Sequence, residues 1–117
     1  MKTLLLFLCL SIAVSQTIAQ VKKAAILKAD PNKKIEVVET SCGQCRFGMK
    51  GKGCNLAVRI NGKSYFVDGT NINDHGDAHK SDGFCNAIRK AAVQGTIVNN
   101  RYKVTYFKLL PGIVVGK

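Results

Sequence analysis

Asn61-Gly62 sits between two alternating runs, Leu56-Ala57-Val58-Arg59-Ile60 and Lys63-Ser64-Tyr65-Phe66-Val67. This dipeptide constrains the fold more than any other feature of the chain. A two-residue type I′ turn needs positive φ at both central positions, and Asn-Gly reaches it with little strain. A hairpin closed there pairs Val58 with Tyr65 and Leu56 with Val67. Those four residues and Ile60 then share one face, the core face. Asn99-Asn100 repeats the device between residues 93–98 and 101–107. In that second hairpin Val93 and Ile97 match Tyr102, Val104 and Tyr106 on one face.

The remaining elements follow from local patterns. Lys34-Ile35-Glu36-Val37-Val38-Glu39-Thr40 is β-branched and partly alternating, which predicts a first strand. Residues 42–55 contain Gly43, Gly48, Gly51 and Gly53 and read as a long loop. Residues 68–83 are polar and turn-rich, a second long loop. Phe84, Ala87, Ile88 and Ala91 recur at helical spacing, so a helix is expected over residues 83–92, capped by Ser81 or Asp82. The order is β-β-β-α-β-β. It predicts a mainly β domain with one helix, a small OB-like five-stranded barrel. The alternative is an α+β sheet with one packed helix.

The chain is 117 residues long, room for one domain with a thin core. Its start reads as a secretory leader. Lys2 is the basic end, residues 4–14 are apolar, and Thr17-Ile18-Ala19 offers small residues at the cleavage positions. The apolar run is well short of the ~20 residues that span a bilayer. Residues 1–19 are therefore read as a signal peptide, and the mature protein as exported, periplasmic or extracellular, with no transmembrane segment once the leader is removed. Residues 20–34 carry Lys22, Lys23, Lys28, Lys33 and Lys34 around Asp30-Pro31-Asn32 and read as a flexible basic arm. Residues 35–111 are the domain, and residues 112–117 a tail. The chain has 18 basic and 7 acidic residues. Such a surface suits anionic partners. Export disfavours nucleic acid among them.

Cleavage also removes Cys9 and leaves four cysteines: Cys42, Cys45, Cys54 and Cys85. With His75 and His79 they fall between residues 42 and 85, most of them in the two long loops. Those loops follow the first and third strands, which leave the barrel at the same end. Six soft or borderline ligands can therefore converge on one rim. Cys42-x-x-Cys45 chelates from a tight turn. Four nitrogen or sulfur ligands suit zinc, and thiolates also suit Cu(I). Two disulfides stapling a thin core are the competing account. Thiol–disulfide chemistry at Cys42 and Cys45 is the third, although no long helix follows the pair. Cys85, in the first turn of the expected helix, should gain a stabilised thiolate. No hydrolase nucleophile elbow, phosphate loop or metalloprotease motif is present, so no catalytic residue is assigned.

Two segments carry a resemblance. They are Ser41-Cys-Gly-Gln-Cys-Arg-Phe-Gly-Met-Lys-Gly-Lys-Gly-Cys54, and Asp74-His-Gly-Asp-Ala-His79 with Asp82-Gly-Phe-Cys-Asn-Ala-Ile-Arg-Lys90. Through them the chain resembles a family of small exported bacterial proteins of unknown function, over about residues 35–111. The resemblance implies an export signal and a cysteine- and histidine-rich site, and no activity. The functional expectation is a small exported non-enzymatic protein that binds zinc or copper through Cys42, Cys45, Cys54 and Cys85, with His75 and His79 auxiliary. The alternatives are a disulfide-stapled module for an anionic ligand and a redox protein using Cys42 and Cys45.

Overall fold

The computed structural model describes residues 28–114. The leader read at 1–19, the first part of the basic arm and the last three residues lie outside that range. The elements are β1 (Glu36–Cys42), a one-turn helix α1 (Gly43–Arg46), β2 (Leu56–Ile60), β3 (Lys63–Asp68), a 3-10 turn (Ile72–His75), β4 (Arg89–Val98) and β5 (Arg101–Leu109). The strands close in the order β1-β2-β3-β5-β4. All neighbours are antiparallel except β3 and β5. This is the expected OB-like barrel, with β1 shared between β2 and β4.

Both hairpins close as their turn residues require. Asn61 and Gly62 have φ of 51° and 81°, and Asn99 and Asn100 have 51° and 60°. Val58 lies opposite Tyr65, and both are buried with Leu56 and Val67. The second hairpin departs from simple alternation. Gln94 faces Tyr106 but Gly95 faces Val104, so Thr105 is an extra residue in β5. A bulge of this kind shifts the facing of every residue beyond it. Phe107, opposite Val93, therefore joins the core cluster, while Tyr106 is buried outside that cluster. Ile97, expected inside, is half exposed near the hairpin end.

The helix expected over residues 83–92 does not form. Its apolar residues are buried as the spacing implied: Phe84, Ala87, Ile88 and Ala91. However, Arg89 and Lys90 already belong to β4 and pair with Thr40 and Glu39 of β1. Only one turn survives, with Ala87 N–H donating to Gly83 C=O at 2.9 Å. The carbonyls that would propagate a helix are taken by β1. Phe84 C=O accepts from the amide of Cys42 at 3.0 Å. The Ser41 hydroxyl lies 2.7 Å from Phe84 C=O and 2.8 Å from Ala87 C=O, sharing its single proton between them. Closing the barrel through β4 outweighs a weak local preference.

Ile72, Ala78 and Phe84 of the β3–β4 loop join the core cluster, so this loop plugs the end of the barrel. Among the described residues no helix is long and apolar enough to cross a membrane. The basic segment is not free along its whole length. The Gln94 side chain accepts from Asp30 N–H at 2.8 Å. It donates to Asp30 C=O at 2.9 Å and to Lys33 C=O at 2.8 Å. Gln94 is 3% exposed, so removing its partners leaves a buried amide unsatisfied. Deleting residues 20–33, or Gln94→Ala, is expected to lower stability by ~1–3 kcal/mol. Denaturant midpoints of the two variants check this, and an unchanged midpoint would show that the segment contributes nothing.

Candidate metal centre

Four sulfurs converge where β1 ends and β4 begins. Those of Cys42, Cys45, Cys54 and Cys85 all lie within 4.8 Å of one another. Cys42 is the last residue of β1 and is fully buried. Its sulfur caps α1 and accepts from the amide of Cys45 at 3.4 Å. Cys45 is exposed, while Cys54 and Cys85 are partly covered. Cys42 and Cys54 are bonded in a disulfide with Cα atoms 5.6 Å apart, and Cys45 and Cys85 carry free thiols. The Cys54 sulfur is also 3.1 Å from that of Cys85 and 3.9 Å from that of Cys45. The bonded pair is thus not the Cys-x-x-Cys pair that the redox reading singled out.

Hydrogen bonds of the cysteines and their chain neighbours position the group. The residues inside Cys42-Gly-Gln-Cys45 grip the residue that follows Cys54. Gly43 N–H donates to Asn55 C=O at 2.8 Å. The Gln44 side chain accepts from Asn55 N–H at 2.9 Å and donates to its side-chain oxygen at 2.7 Å. Gly43 is required by space: a Cβ there would meet Phe66 at 2.7 Å and the Met49 sulfur at 2.8 Å. Cys85 is fixed through its own amide, which donates to Ala78 C=O at 3.0 Å. The bonds from Ser41 and Cys42 to the adjacent Phe84 hold it against β1.

Neither histidine belongs to the four-sulfur group. The His75 ring stands edge-on to Phe84 at 6.1 Å and tilted over Phe107 at 4.5 Å. Its Nε2 is 2.9 Å from the Thr70 hydroxyl, a place in the barrel plug. His79 is exposed, with its Nδ1 3.7 Å from Asp77. The thiolate expected at Cys85 from a helix N-terminus is overturned with the helix itself. Desolvation instead pushes the Cys85 thiol above its ordinary range, and the neighbouring Cys45 and Asp77 add to the rise. Sequence reading did not find Ser41, Gln44 and Asn55. The only pointer to them was their position, next to or between the cysteines.

A family model described as Family of unknown function (DUF6370) matches residues 36–110. The chain belongs to this family. The DUF6370 match runs from β1 past the end of β5 and includes all four cysteines and both histidines. No curated protein and no solved structure matches the chain.

The four sulfurs fit a tetrahedral ion. Bonds of ~2.3 Å to zinc set neighbouring sulfurs ~3.8 Å apart. The Cys54 contacts at 3.1 and 3.9 Å bracket that spacing. The Cys42–Cys54 bond must be reduced for all four to ligate. Exposed Arg46, Lys50 and Lys52 share the segment between β1 and β2 with Cys45 and Cys54. In the metal-free disulfide form, Cys45 should alkylate well before Cys85, because Cys45 is exposed while Cys85 is partly covered and desolvation pushes its thiol up. Raising the pH should speed the Cys85 reaction. Peptide mapping after timed alkylation reads both rates, and faster labelling of Cys85 would contradict the assigned burial.

Proposed function

We propose that this chain is a small exported, non-enzymatic protein whose reduced cysteine cluster binds a soft metal ion, zinc or Cu(I). The observation that carries the reading is the convergence of four sulfurs within 4.8 Å at one rim of a rigid barrel. They come from a strand end, a one-turn helix, a strand entry and a plug loop. Cys42, Cys45, Cys54 and Cys85 are the ligands, and the reading needs neither His75 nor His79. The amide of Cys45, 3.4 Å from the Cys42 sulfur, is placed to donate to that sulfur as a ligand.

A second reading has its own support. The Cys42–Cys54 disulfide ties β1 to the entry of β2 and can act as a plain staple. The protein would then be a binding module whose basic surface takes an anionic ligand.

Metal content separates the two. The chain is purified under a mild reductant, dialysed against zinc, and measured by elemental analysis and native mass spectrometry. One zinc per chain is expected. Cys85→Ser should weaken binding by more than about 100-fold, the upper end of what losing a mere supporting hydrogen bond costs at a metal site. Reduced protein that retains no metal would sink the reading and leave the staple.

A further inference from the structure

Cys54 is a shared sulfur. It is bonded to Cys42, lies 3.1 Å from Cys85 and lies 3.9 Å from Cys45. All four sulfurs lie within 4.8 Å of one another, so none of the three neighbours needs a large movement to reach it. The same four atoms thus suit two mutually exclusive arrangements. A metal needs four separate sulfurs, whereas a disulfide consumes two of them.

We propose that the cluster is a redox-gated metal site, in which oxidation of Cys54 and Cys42 expels the metal and reduction restores it. The inference rests on the metal reading above and adds its regulation. The co-reactant is a small-molecule disulfide. One protein thiolate, at Cys42 or Cys54, attacks a sulfur of that disulfide, forms a mixed disulfide and releases one small thiolate. The other protein thiolate then attacks the cysteine sulfur of the mixed bond. A Cys42–Cys54 bond forms, and the second small thiolate leaves. Two electrons pass from the cysteines to the small disulfide, which becomes two thiolates that take up protons from water. The zinc ion, with only Cys45 and Cys85 left to hold it, dissociates as Zn2+. A thiol reductant reverses each step.

The geometry selects which pair oxidises. Cys42 is the buried partner and its chain neighbour Gly43 is bonded to Asn55 beside Cys54. That link keeps Cys42 and Cys54 together, whereas Cys45 faces solvent. When Cys42 is absent, the next sulfur to meet Cys54 is Cys85, nearer than Cys45 by the distances above.

The test uses the full zinc-loaded chain and hydroxyethyl disulfide as the probe. Zinc content is measured first, and a protein without zinc at this stage defeats the metal reading by itself. Loaded protein is then oxidised while a chromogenic chelator follows zinc release. Peptide mapping follows the linkage. The expected result is one zinc and two small thiols released per chain, a Cys42–Cys54 bond, and recovery of zinc binding after reduction. Cys45→Ser should retain the Cys42–Cys54 linkage on oxidation, and Cys42→Ser should move it to Cys54–Cys85. Zinc retained after the disulfide forms would overturn the gating. So would zinc lost with every thiol still free, or a first linkage that joins Cys45 to Cys54. The linkage in each variant can be mapped whether or not that variant still loads zinc, so a weakened site leaves the choice of pair readable.

Discussion

The junction between the end of β1 and the turn before β4 holds the molecule together. There the Ser41 hydroxyl and the Cys42 amide take the carbonyls of Phe84 and Ala87. Those bonds stop a helix from propagating and hand residues 89 onward to β4. Without that, β1 would keep an unpaired edge and the barrel would stay open, the hazard that closure removes. The same bonds press Phe84 into the core and bring Cys85 beside Cys42. Fold closure and site assembly are one event here. Thr40, Ser41 and Gln94 are buried polar residues, and each has a hydrogen-bond partner.

The elements legible in the sequence were those with short-range causes. Asn61-Gly62 and Asn99-Asn100 dictate their hairpins because φ is a local property. Strand count and order followed from alternation between those turns. Convergence of the two loops followed from strand direction alone. The failures lie where a long-range contact decided. Phe84, Ala87, Ile88 and Ala91 have both a helical spacing and a role in a plug and a strand. Only the carbonyl capture by Ser41 distinguishes these outcomes, and nothing near residue 84 announces it. The bulge at Thr105 likewise left no trace in the pattern, so Phe107 was missed from the core beside the buried Tyr106.

The histidines show the same limit in another form. A polar loop with His75 and His79 at a spacing of four looks like ligand supply. In the folded chain His75 packs on Phe84 and Phe107 as part of the plug, while His79 points to solvent beside Asp77. Residue type and proximity in sequence were shared, but position across the barrel end was not. The cysteines escape this ambiguity because the Gly43 and Gln44 bonds to Asn55 and the β1 bonds to Phe84 bring their backbone segments to one point. Gly43 shows how tight that aim is, since Phe66 and Met49 already occupy the space of its missing Cβ.

The four clustered cysteines are unevenly spread along the chain. Three cysteines fall within thirteen residues, from Cys42 to Cys54, and the fourth is thirty-one residues further on, at Cys85. An unfolded chain already carries the first three close together, so it too has some affinity for a thiophilic ion. Stabilisation by a ligand depends on how much better the native state binds than the unfolded one. The fourth sulfur arrives only when β4 docks on β1, closing a long loop at an entropic cost that rises slowly with length. Occupancy of all four positions therefore reports that the barrel has closed. In the metal reading proposed above, a chain with an open barrel offers an ion three points instead of four and surrenders it readily to any competing chelator.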